Sequence, residues 1–122
     1  MAPPCGALSS GVRRHPVASF SVRCLFRWLD RRVADSHTYE ERITLWSAQD
    51  LDESITLAEA EARSYAADAN CEYLDFCQAY AMDVTVEASA VEVFSLLRQS
   101  ALAPKEYIDT FFATGLERES DA

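Results

Sequence analysis

Two runs with a period of two, joined by a short charged stretch and followed by a long helical pattern, restrict this chain to folds built on an antiparallel sheet. From Ala18 onward, Phe20, Val22, Cys24, Phe26 and Trp28 alternate with Ser21, Arg23, Leu25 and Arg27. Side chains of successive strand residues project to opposite faces, so this is the signature of a half-buried strand. The charged segment DRRVADSH, residues 30–37, reads as a hairpin loop. A second alternating run covers Tyr39 to Ala48, with an expected inner set of Tyr39, Glu41, Ile43 and Leu45. Its outer set would be Glu40, Arg42, Thr44 and Trp46.

A helix is then expected from Asp50. Asp at the N-cap with Glu53 three residues on forms a capping-box arrangement. Leu51, Ile55, Ala58, Ala62, Tyr65, Ala66 and Ala69 fall on one stripe, while Glu59, Glu61, Arg63 and Asp68 are expected to face water. The alanines keep the stripe thin, and Asn70 suits a left-handed terminator. A third strand is expected from Glu72 to about Val84, and its two apolar faces suggest a central place in the sheet. Residues 85–90 turn the chain. Val91–Arg98 fits helix or strand, and its β-branched and aromatic residues favour a strand.

Pro104 suits the first turn of a last helix that buries Tyr107, Ile108, Phe111 and Phe112 and stops at Gly115. Ala103 ahead of it lacks a capping side chain, which weakens that start by about 1 kcal/mol. The order β-β-α-β-β-α defines an α+β two-layer sandwich: a mainly antiparallel four-stranded sheet with helices packed on one face. One domain spans residues 18–115, between a flexible N-terminal tail (1–17) and a disordered C-terminal tail (116–122). Met1 and Met82 are the only methionines, and Val12 or Val17 is an alternative start.

A chain of 122 residues suits one domain, and its 49% apolar and 25% charged residues are ordinary for a soluble protein. No apolar run approaches the ~20 residues of a membrane span. The net charge of −9 divides unevenly. Residues 1–32 hold six arginines against Asp30, a balance of +5, so the remainder carries −14. Phosphate binding needs clustered cations, which argues against a nucleic-acid partner and leaves solubility or a basic protein partner as the use of the acidity. The four cysteines, Cys5, Cys24, Cys71 and Cys77, form an even count. Residues 1–20 nevertheless lack the apolar core of a secretory leader, so the expectation is reduced thiols in a cytoplasmic protein.

Catalytic patterns are sparse. Cys71 and Cys77 are separated by five residues, and His15 and His37 fall in an expected tail and loop. Zinc coordination or a histidine-driven triad is therefore not expected, nor any cofactor. With glycine only at positions 6, 11 and 115, there is no phosphate-cradling turn. Among the acids, Glu40 and Glu41 are adjacent and point to opposite faces of a strand, which excludes a convergent dyad. Glu41, expected beside Tyr39 and Ile43, is a candidate ligand contact because a carboxylate on an apolar face loses its hydration. The simpler reading pairs it with Arg23 or Arg27. Asp75 interrupts an apolar run, as a solvent-facing residue or as a ligand contact. Trp46 on the polar side of its strand is a candidate recognition aromatic, unless a loop or terminal segment covers it.

Several segments taken in order, FSVRCLFRW, TYEERITLWSA, AEAEARSYA, YLDFCQAYAM, VEVFSLLRQSALAPKEYIDTFF and TGLER, resemble an uncharacterised bacterial family, domain of unknown function 4288. The resemblance spans roughly residues 18–118. It implies a small soluble bacterial α+β domain and carries over no catalytic residue.

These features favour a small acidic cytoplasmic interaction module over an enzyme, its sharper form being an inhibitor or immunity-type protein that meets a basic partner. The competing expectation is a small-ligand-binding protein or enzyme with a pocket near Glu41 and Tyr39, drawing also on Asp75. A third is a homodimer formed through an exposed sheet edge or Trp46.

Overall fold

The computed structural model describes residues 17–83, 85–87 and 89–112, apart from the side chains at positions 32 and 33. The expected tails at 1–17 and 116–122 lie outside the described residues except for Val17, as does the expected helix stop at Gly115. The elements are β1 (Ala18–Val33), β2 (Ser36–Ala48), α1 (Leu51–Ala69), β3 (Cys71–Ala81), β4 (Ser89–Ser100) and α2 (Pro104–Phe111). They form an α+β fold around one four-stranded sheet of order β3-β1-β2-β4, with all neighbours antiparallel.

The first two strands run longer than their alternation alone suggests. β1 continues to Val33 and β2 begins at Ser36, so the connection is the two residues Ala34 and Asp35 rather than a loop over 30–37. Ala34 takes a left-handed backbone, φ 52°. Tight hairpins demand that conformation, at a cost of about 1 kcal/mol or more for a residue bearing a Cβ.

The boundaries of α1 follow local chemistry. Asp50 accepts a hydrogen bond from the Glu53 backbone N–H at 2.8 Å, and Glu53 accepts one from the Gln49 N–H at 2.7 Å. Asn70 ends the helix in the left-handed region, φ 62°. Ala58, Ala62 and Ala66 pack with Val22, Cys24, Phe26, Trp46, Cys71 and Tyr73 to form the larger core cluster. The short alanine side chains let α1 lie close over β1, β2 and β3.

Three further expectations change. Both helices are expected on one face, but α2 lies on the other. Leu25 and Tyr39 pack with Tyr107 and Phe112 in a second cluster, whereas Cys24 and Phe26, the neighbours of Leu25, pack under α1. Alternation along β1 puts those sets on opposite sides. Likewise β3 is an edge strand rather than central. Its two apolar faces arise because α1 covers one and the α2 end of the chain covers the other. Finally, Phe111 is exposed instead of buried, lying 5.2 Å from the Tyr107 ring on the outer side of α2.

Candidate functional site

The largest departure from the expected pattern is in β2. Its polar set, Glu40, Arg42, Thr44 and Trp46, faces α1 and is buried, while Glu41, Ile43 and Leu45 on the other side are only half-buried. Glu40 leaves 2% of its surface exposed and its carboxylate is surrounded by donors. The Tyr65 hydroxyl donates to it at 2.8 Å, the Trp28 indole N–H at 3.2 Å, and the Ser95 hydroxyl closes it from β4. Arg42 donates two bonds to Glu61, at 2.7 and 3.0 Å, and one to Glu92 at 2.6 Å. Its guanidinium lies 3.9 Å from the centre of the Tyr65 ring. Burial works against that charge, but the bonds to Glu61 and Glu92 outweigh it and hold the Arg42 pKa above the ordinary guanidinium value.

Glu61, expected in water, is thus drawn in by Arg42, and Glu59 accepts a hydrogen bond from the Tyr73 hydroxyl at 2.6 Å. The network is saturated: each carboxylate described has its donors, and Glu61 and Glu92 clamp one cation. A buried carboxylate in this condition is a structural element, because no oxygen is left facing an open space.

This environment has a consequence at high pH. Burial, and then the neighbouring Glu40 carboxylate, push the Cys71 thiol up to about 11 from an ordinary value of 9.0. Burial also raises the phenols of Tyr39, Tyr65, Tyr73 and Tyr107. A folded-state pKa above the unfolded one gives stability that is fully present below the unfolded value and lost as pH rises through the folded one. Urea midpoints should therefore hold steady up to about pH 9 and fall between about pH 9 and 11. In Cys71→Ala that early part of the fall should be weaker.

On the opposite face, Glu41 forms an ion pair with Arg23 at 3.0 Å. Arg23 also bonds Gln78 and lies 4.8 Å from the centre of the Phe112 ring. Tyr39 is fully buried, stacked on Tyr107 at 3.8 Å between ring centres, and its hydroxyl donates to the Leu102 carbonyl at 2.5 Å. Neither residue lines the cavity between β3 and α2 or the one beside Trp28 and His37. Trp46 is not a surface aromatic: it leaves 5% of its surface exposed in the larger core cluster and donates to the Thr44 hydroxyl at 2.7 Å.

Asp75 does face solvent. It adopts a left-handed backbone, φ 57°, where β3 bulges opposite Leu25, and it pairs with Arg63 at 3.3 Å. Beside it a cavity of about 340 Å³ opens between β3 and α2, lined by Glu72, Asp75, Pro104, Lys105, Ile108 and Asp109 among others. Its charged groups are already matched: Glu72 with Arg27, Asp75 with Arg63 and Asp109 with Lys105. Thus the structure does not bring Tyr39, Glu41, Trp46 and Asp75 together at one place. Among the described residues no group of three or more His, Cys, Asp or Glu side chains is placed to hold a metal ion. No described helix is long and apolar enough to cross a membrane.

The surface that stands out is β4. It is an edge strand of 12 residues, paired on one side by β2. Its Val91, Val93, Phe94, Leu96 and Leu97 each leave between 39% and 52% of their surface exposed. Phe94 and Leu96 stand opposite Ile43 and Glu41 in register and extend the half-buried apolar face of β2. On the other side, Ser95 and Glu92 fasten β4 to Glu40 and Arg42. The β-branched and aromatic residues of VEVFSLLR favour a strand, but its exposure depends on which strand it joins and how far the helices reach.

The geometry defines a small α+β domain with a saturated buried network and an apolar sheet edge. No family model, no curated protein and no solved structure matches this chain.

Proposed function

We propose that the chain is a cytoplasmic, non-enzymatic protein-interaction module that docks a basic protein partner along β4. One observation carries this reading: a long edge strand that exposes five large apolar side chains next to a further apolar face. Edge strands are templates for added strands; the register of β4 against β2 shifts near Val91 and Val93 but is regular from Phe94 to Ser100, which leaves that stretch as the available edge. A partner strand would satisfy the free backbone groups while its side chains cover Phe94 and Leu96.

The net charge of −9 selects among partners. It opposes close approach of a second copy and attracts a basic protein, speeding association at low salt. An inhibitor or immunity-type role is the sharper form of the same reading. The resemblance to domain of unknown function 4288 is compatible with it and adds no catalytic residue. The enzyme or small-ligand reading draws less support, because Glu41 and Tyr39 are occupied by Arg23, Tyr107 and Leu102.

The test uses the full chain and the double variant Phe94→Lys/Leu96→Lys. Truncating an interface anchor costs roughly 1–2 kcal/mol, so partner capture should fall by on the order of tenfold or more. Wild-type capture should weaken as salt rises, and the circular dichroism of the variant should match the wild type. A variant that captures the partner as well as wild type would remove β4 from the interface. A wild-type chain eluting at twice its 13.6 kDa mass, with a monomeric variant, would replace the basic partner by a second copy.

A further inference from the structure

Cys24 in β1 and Cys77 in β3 stand directly opposite each other in the antiparallel register. Opposed residues in such a ladder hold their Cα atoms about 4.5 or 5.5 Å apart. Both spacings fall within the roughly 4.4–6.8 Å that a disulfide spans. Both residues are free thiols, Cys24 buried in the core and Cys77 half-buried. Cys71, the other described cysteine, opposes Trp28 instead and has no thiol across from it.

The surroundings of the pair are chemical as well as steric. Glu59 on α1 places Oε2 3.9 Å from the Cys77 sulfur, where it accepts a hydrogen bond from the thiol. The same oxygen accepts the Tyr73 hydroxyl at 2.6 Å, which holds the carboxylate in position. Across the strand, the Cys24 side chain stands opposite Cys77. Its interaction with the Cys77 sulfur holds Cys77 below the ordinary thiol range despite burial and the nearby Glu59 charge, and pushes Cys24 up, with burial adding to the rise. The outer, more accessible sulfur is therefore the nucleophile and the buried one the resolving thiol.

We propose that Cys24 and Cys77 form a redox modification site that a peroxide-class oxidant converts to a cross-strand disulfide. The Cys77 sulfur, its proton passing to Glu59, attacks one oxygen of hydrogen peroxide. The O–O bond breaks, one water leaves, and Cys77 becomes a sulfenic acid. Cys24 then attacks the Cys77 sulfur, the S–O bond breaks and a second water leaves. Two thiols have lost two electrons and two hydrogens, and one peroxide has become two waters. A thiol reductant reverses the change by exchange.

Treating the full native chain with hydrogen peroxide and mapping its peptides tests this. The dominant product should be a Cys24–Cys77 cross-linked peptide, with an intact mass lower by two hydrogens, reversed by dithiothreitol. Native Cys77 should react on the order of tenfold or more faster than Cys71, read by differential alkylation. In guanidinium, where the register is lost, the same oxidant should give a mixture that includes Cys5 and Cys71. Cys77→Ser should leave Cys24 alkylatable after peroxide. Because Cys24→Ser alters the core, the wild-type map is the deciding measurement. A sulfinic Cys77 beside a free Cys24, a dominant link to Cys5 or Cys71, or identical native and denatured products would each overturn the proposal.

Discussion

Replacing Glu40 by alanine should destabilise the domain by about 3–5 kcal/mol. A deleted acceptor strands the donors that face it at roughly 1–3 kcal/mol each. Here those donors are the Tyr65 hydroxyl, the Trp28 indole N–H and the Ser95 hydroxyl. The three effects share one carboxylate and will not add in full. The total is still a large part of the roughly 5–15 kcal/mol that holds a domain together. Glu40→Gln keeps one acceptor oxygen and nearly the same volume, and should lose only about 1–2 kcal/mol. Urea denaturation of both variants makes the check. Equal stability of the two would mean that Glu40 is not the hub of a satisfied network, and an open, reactive carboxylate would have to be reconsidered.

Trp46→Glu should unfold the protein at ordinary temperature. Trp46 lies under α1 among Val22, Phe26 and Ala58, and its truncation alone is worth about 3–5 kcal/mol. The glutamate adds a carboxylate that finds no cation held open for it, since Arg42 is already shared by Glu61 and Glu92. Trp46→Phe, which keeps most of the ring, should stay folded and lose about 1–2 kcal/mol. Far-UV circular dichroism and melting temperature separate these outcomes. A folded, monomeric Trp46→Glu would place the indole at a surface after all. The contrast with β4 is direct, since Phe94→Lys/Leu96→Lys alters exposed side chains and should leave the melting temperature within a few degrees.

The two variants also mark how far local pattern reaches. Period-two alternation identified β1 and β2, and the Asp50 cap and Asn70 terminator bracketed α1, because those signals act within a few residues. The same alternation sorted β2 correctly into two sets. It could not say which set is buried. Hydropathy favoured Tyr39, Glu41, Ile43 and Leu45 as the inner face, yet α1 covers Glu40, Arg42, Thr44 and Trp46. Arg42 and Glu40 are admitted there because Glu61 and Tyr65, about 20 residues further along, supply their partners. A helix stripe read as solvent-facing at Glu59 and Glu61 is the other half of the same misreading: each set looks exposed until it meets the other.

The candidate site was less legible than the fold. Tyr39 and Glu41 do share a face, but Tyr107 and Arg23 occupy them, and Asp75 stands apart on β3. Trp46 turned inward with its strand. The residues of β4 were visible as a strand but not as a surface, since exposure belongs to the edge of a sheet and not to a segment. The Cys24–Cys77 pair was invisible for a related reason: the spacing of cysteines along a chain does not report the register of strands far apart in it.

By itself, then, the amino-acid sequence determined the element order, the periods of β1 and β2, both ends of α1 and the antiparallel class of the sheet, all governed by side-chain alternation and backbone capping. Only the tertiary structure decided that β3 and β4 are the edges, that α1 and α2 take opposite faces, and that a polar strand face is the buried one. Those choices turn on hydrogen bonds and contacts between residues tens of positions apart, whose free energy exists only once the sheet is assembled.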